Sequence, residues 1–473
     1  MVHLDASMLR VSRTRWLVLC AHSCCCVVSF AQLCTLSPVQ NISMERYGVS
    51  SLLINLSSLL FMGGTVLLLP LALYILTRRT GLQTSMLVGA CCSAAGAWIR
   101  FFSAFSSSMS SYLLFSIGQA VCAVAHPFFL ASPCVLVSMW FPLTQRAIAT
   151  TVAYIMGFLG MGMSFLISWF LASQPDHMGR LLLAHGCLAT AALVLAFVAF
   201  LPNGGRPKTG PPSMNAIFMK QVGEPIMPAI KSLCQNRNVW LLFFAFGLSG
   251  GLFEAFFILL NQIMEPDGFS LEVIGTSGFS LFVSAILFSL LLTIFVERTG
   301  IFKPILLSIS IIEALFLTIF NIAALSGSRA YVFVALVGIG IGGAVLPVCM
   351  ACAYEITYPI SEEASSAMLL TFSHLFGSVF LVIMSVLETG PTGKMNMALW
   401  FALAIQVVCM VLFSLFQEGS RRRTLEERLE GDSRLRISTR NTMFDGYSPI
   451  REDDLDEEII PLRASYSKWM STQ

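Results

Sequence analysis

The sequence predicts an all-α membrane protein of twelve transmembrane helices, built as two parallel repeats of six. Three observations predict it. First, of 473 residues 56% are hydrophobic and only 11% charged, with a mean hydropathy of +0.79. A soluble chain carries about 25% charged residues. This chain lacks the charge to cover a water-facing surface, so its main solvent is lipid. Second, twelve apolar runs follow one another, each near the roughly 20 residues that a bilayer-crossing helix needs. Third, Arg79-Thr80-Gly81 closes an apolar run and recurs as Arg298-Thr299-Gly300, 219 positions later.

The runs fall at 16–37, 50–76, 83–105, 111–140, 147–172, 180–201, 239–264, 274–296, 304–325, 331–354, 364–388 and 396–417. Their length argues for helices, because a membrane barrel strand shows only about ten residues of alternation. Arg13, Arg15 and the "SFA" at 29–31 imitate a secretory signal with cleavage after Ala31. The run is long for a signal core, and losing it would break the repeat, so it is read as the first span.

Shifting the first half by 219 residues lays run 83–105 near 304–325, run 111–140 on 331–354 and run 147–172 on 364–388. This layout resembles the major facilitator superfamily (MFS) fold, which holds its substrate site between the halves near the membrane midplane. The Arg-Thr-Gly copies then sit in the cytoplasmic turns between the second and third helices of each half. The resemblance implies a Gly- and Arg-containing signature there, which makes Arg79, Gly81, Arg298 and Gly300 gating or structural candidates. Thr77 stands where an acidic residue is common, whereas Glu297 supplies one in the second copy. The other reading is that Arg and Gly simply end helices at an interface.

Loop charge sets orientation. Arg10, Arg13, Arg15, Arg78, Arg79, Arg146, Arg206, Lys208, Lys220, Lys231, Arg237, Arg298, Lys303 and Arg421 to Arg423 share one side; Arg46, Arg100, Arg180, Arg329 and Lys394 share the other. The basic side faces the cytoplasm and so do both termini. Asn41-Ile42-Ser43 then lies in the first outer loop, an acceptor for N-glycosylation. Asn55-Leu56-Ser57 matches as well but lies inside the second run.

The domain plan is a cytoplasmic N-terminus at 1–15, a six-helix bundle at 16–201, a linker at 202–238, a second bundle at 239–417 and a tail at 418–473. The linker is basic and rich in Pro and Gly. The polar tail reads as disordered. Its Tyr447-to-Ile450 "YSPI" and the acidic run before Ile459-Ile460 resemble sorting signals, so adaptor proteins are possible partners and the plasma, endosomal or lysosomal membrane is the expected location. Thirteen of the 14 cysteines lie within runs, as small packing residues. A Cys349/Cys352 pair without a second ligand pair points weakly to metal, and no cofactor or bound metal is expected. No Walker A loop or G-x-S-x-G elbow occurs, so no enzyme is indicated. A net charge of +2 without a basic face excludes a nucleic-acid partner.

Ionisable groups inside the runs carry the functional reading. Charge at the bilayer centre costs at least ~2.5–3.5 kcal/mol, so it faces a cavity and does a job. Gln32, His126 and Glu254 lie 15 or 16 residues into the first, fourth and seventh runs, roughly 22–24 Å along each helix. Those helices and the tenth line the MFS cavity. Pro127 follows His126 and frees backbone carbonyls. Asn261 lies further along the seventh run, His374 about ten residues into the eleventh, and Glu313 in the peripheral ninth, where pairing with a neighbour is expected. Both histidines also fit neutral packing roles.

"AYEITYPISEEASSAMLLTFSHLFG" at 353–377 resembles the feline leukaemia virus subgroup C receptor (FLVCR) family, as do "ERYGVSSLLINLSSLLFM" at 45–62, "GQAVCAVAH" at 118–126, "VSMWFPLTQRAIAT" at 137–150 and "GGLFEAFFILLNQI" at 250–263. The resemblance covers most of both bundles and not the tail. It marks Glu355 as a further structural candidate and implies a facilitator of a small organic solute. Choline and ethanolamine, or haem, are the family's cargoes. The family's choline site uses an aromatic cage, which attracts a quaternary ammonium. At the aligned positions its Trp is Leu33 here, one Gln is His126, its Tyr is Glu254 and another Gln is His374. A cage is traded for a carboxylate and two imidazoles.

Gln32, Leu33, His126, Glu254, Asn261 and His374 are therefore the substrate-binding candidates. A carboxylate pairs with an organic cation or amine in low dielectric, and histidine can couple transport to protons. That is the preferred reading. The alternatives are haem or a transition metal as cargo, and a non-transporting receptor or scaffold.

Overall fold

The structure is a computed structural model and describes residues 12–78, 80–106, 109–205, 207, 233, 236–357, 362–387 and 394–418. Arg79, most of the 202–238 linker and both tail signals lie outside the described residues. Helices dominate because the runs are apolar on every face, and in lipid only intra-segment hydrogen bonds satisfy the backbone.

The first half comprises α1 (Arg15–Leu33), α2 (Gln40–Tyr47), α3 (Ser51–Leu76), α4 (Gly81–Phe102), α5 (Met109–Trp140), α6 (Leu143–Leu171) and α7 (Met178–Phe200). The second comprises α8 (Arg237–Ile258), α9 (Leu260–Met264), α10 (Leu271–Thr299), α11 (Lys303–Ser326), α12 (Arg329–Ile339), α13 (Val345–Thr357), α14 (Glu362–Val386) and α15 (Asn396–Leu415). Among the described residues, twelve helical segments are long and apolar enough to cross a membrane. This is the predicted fold class.

Three local features depart from the sequence reading. The outer loop after the first run folds as α2, with Asn41 exposed on it. The tenth run is two helices, α12 and α13, joined by a 3-10 turn at Gly340–Ala344. The two Arg-Thr-Gly copies differ: Gly81 opens α4, whereas Gly300 ends α10 in the left-handed region, φ 69°.

The halves meet where α3 packs on α14 and α6 on α10. Polar seams cross that interface near both ends. At the end that carries α2, which the loop charge predicts to face outward, Gln40 Nε2 donates to Gln262 Oε1 at 3.0 Å, Asn55 Nδ2 donates to Ser385 Oγ at 2.8 Å and Asn261 Nδ2 donates to the Pro38 carbonyl at 2.9 Å. At the inner end the Cys134 thiol lies 3.1 Å from the Tyr354 hydroxyl and 3.5 Å from that of Ser366, and Thr151 lies 3.5 Å from Thr293. Contacts between the halves thus occur at both ends of the interface.

Candidate substrate site

Between the two seams, a carboxylate and a histidine of the second half meet a histidine of the first. The site is built by glycine. Along "GLSGG" at 247–251, a Cβ on Gly251 would sit 2.5 Å from the Gly377 nitrogen and 2.8 Å from the Ser373 carbonyl oxygen. Only a missing side chain lets α8 and α14 approach so closely. That approach sets Ser373 and His374 against Glu254.

The Ser373 hydroxyl donates to Glu254 Oε1 at 2.9 Å and His374 Nδ1 donates to Oε2 at 2.9 Å. The ring nitrogen is the donor because a carboxylate only accepts. The Glu254 side chain is 17% exposed and that of His374 3%. From the other half, His126 on α5 brings its ring centroid to 5.7 Å from that of His374. His126 Nδ1 is 2.8 Å from Ser29 Oγ on α1, and Phe30 and Phe61 pack edge-on against its ring at 4.6 and 5.5 Å. Nε2 of His126 and Nε2 of His374 are both buried without a hydrogen-bond partner.

Three of the six substrate-binding candidates thus converge: His126, Glu254 and His374. The other three do not join them through polar contacts. The Gln32 side chain turns into the first half, where Nε2 donates to the Ser93 carbonyl at 3.1 Å and Oε1 accepts from Ser93 Oγ at 3.0 Å. Leu33 is buried in the apolar cluster that includes Phe61, Met62 and Phe253. Asn261 belongs to the outer seam. Of the gating or structural candidates, Gly81 is buried, Arg298 is exposed and Glu355 is half-buried near the inner end of α13.

Ser29, Ser373 and Gly377 escaped the sequence reading. Ser373 adjoins His374 in sequence, which was an available signal; nothing in α1 singles out Ser29. Arg100 requires a correction. It was counted among the outer-loop cations, but it is fully buried. Its Nη1 donates to Gln119 Oε1 at 2.8 Å and to Thr35 Oγ1 at 2.9 Å. Glu313 pairs with a neighbour as expected, accepting from Gln406 Nε2 at 2.8 Å. Among the described residues, no three His, Cys, Asp or Glu side chains are arranged to hold a metal ion.

Two six-helix halves around a buried polar cluster define a multi-pass membrane carrier of the alternating-access kind. The chain belongs to the Major Facilitator Superfamily, whose sequence profile matches residues 22–382. It is 28% identical over 446 residues to the human choline/ethanolamine transporter FLVCR2, covering 90% of this chain and 82% of that protein. It is 27% identical over 396 residues to solute carrier family 49 member A3 of Danio rerio, covering 82% and 81%. The resemblance to FLVCR-related carriers therefore spans both halves. The crystal structure of a D-xylose-proton symporter superposes with a TM-score of 0.66 at 12% identity, covering 86% of this chain and 98% of that one, a likeness of fold. The chain is a small-solute transporter and not an enzyme.

Proposed function

We propose that this transporter moves a small organic cation of the choline or ethanolamine kind, and that Glu254 is its counter-charge. The observation that carries the reading is the position of Glu254: a carboxylate within an apolar span, partly exposed, bonded to His374, whose ring faces His126 of the other half. A carboxylate there costs at least ~2.5–3.5 kcal/mol to insert, and a cation gains from it more than it would in water. The relatives named for choline and ethanolamine supply the cargo class.

His374 links the cargo to protons in this reading. A protonated imidazole beside Glu254 puts a positive charge where the cargo's charge would sit.

The test is uptake of labelled choline and ethanolamine, against haem, in cells expressing the chain or its Glu254→Gln variant. Glu254→Gln should abolish cation uptake at unchanged surface level. Normal uptake by the variant would make Glu254 structural. Haem flux without cation flux would transfer the histidines to ligand roles.

A further inference from the structure

We infer that the site selects ammonium groups that carry N–H bonds over fully methylated ones. This rests on the organic-cation reading above and specifies its substrate. Glu254 fixes the His374 ring by accepting from Nδ1–H at Oε2, while Ser373 donates to its other oxygen. In the neutral tautomer that carries its proton on Nδ1, the ring presents Nε2 as a lone pair. That atom is buried and has no partner. His126 offers a second buried, unpartnered Nε2 from the opposite half, and its Nδ1 faces a serine hydroxyl that can either donate or accept. With both rings in the tautomer that donates from Nδ1, the two buried Nε2 atoms and the carboxylate form a set of acceptors.

An aromatic cage would treat the cargo differently. A quaternary ammonium needs ring faces around its methyl groups. Here Phe30 and Phe61 meet His126 edge-on, at interplanar angles of 73° and 70°. A protonated primary amine brings three N–H donors, enough for the carboxylate and both imidazoles. A ligand N–H can bond such an acceptor, whereas an N-methyl group leaves it buried and bare. Sites built to bond an N–H reject analogues that lack it.

The test is a methylation series on the full chain at one fixed pH. Ethanolamine, its N-methyl and N,N-dimethyl forms, and choline compete for uptake of labelled ethanolamine, and each labelled compound is also assayed alone. Apparent affinity should fall along the series and drop by roughly tenfold or more at choline, where the last N–H is lost. His126→Phe, which keeps a ring among Phe30 and Phe61, should narrow the ratio of ethanolamine to choline affinity. Choline equal to or better than ethanolamine would overturn the inference and leave the organic-cation reading intact. Transport of none of the four by surface-expressed protein would overturn both.

Discussion

At the residue scale, what the sequence revealed follows from cost. Glu254, His126 and His374 stood out because an ionisable group is expensive in an apolar run. Which of them meet was legible only in space. Gln32 was equally conspicuous but turns to Ser93. A helix that is apolar on all sides does not announce which face is inward. Arg100 misled because it lies near the end of its run, where a cation reads as a loop residue, yet Gln119 and Thr35 hold it inside. Two expectations belong here. Gly377→Ala would place a Cβ 2.8 Å from Glu254 Oε2 and 2.5 Å from the end of Met62. The carboxylate must shift off His374, so uptake should drop at least tenfold with surface level retained, a loss of one charge-assisted bond. Gln119→Leu would take one acceptor from a fully buried guanidinium whose Nε and Nη2 already lack partners. Thermal unfolding of the purified protein should show a loss of about 1.5–3 kcal/mol.

At the scale of elements, length and apolarity located the spans to within a few residues, because a bilayer accepts little else. Breaks were harder to read. Gly340 to Gly343 interrupt the tenth span, where packing against Ser284 and Ala285 leaves no room for Cβ atoms; a run of glycines alone fits a helix or a turn. The repeated Arg-Thr-Gly was legible as punctuation, but its two copies sit differently, one opening a helix and one ending it. The inner seam gives an element-scale test. Thr151 and Thr293 face one another across α6 and α10. A Thr151→Cys, Thr293→Cys double variant should cross-link under oxidation, stop transport, and regain it on reduction. Transport that survives a complete cross-link would show that these helices do not separate there.

At the scale of the molecule, the parallel repeat, the orientation by loop charge and the carrier class form one chain of inference from composition to fold. The outer-side assignment of Asn41 gives a direct check. Asn41 is exposed on α2, whereas Asn55 of the second sequon is buried and bonded to Ser385 and Gln262. Asn41→Gln should abolish the glycan-dependent shift in gel mobility, and Asn55→Gln should leave it. A chain without any such shift would reopen the topology.

The bonds that close the outer seam run between uncharged groups: Gln40 with Gln262, Asn55 with Ser385, Asn261 with Pro38. The outer ion pairs Arg46–Asp176 and Lys394–Asp267 each join residues of a single half. Neutral hydrogen bonds exchange for water at nearly even energy and are not screened by dissolved salt as ion pairs are. Salt therefore acts on the ion pairs within each half and leaves these three contacts between the halves unscreened.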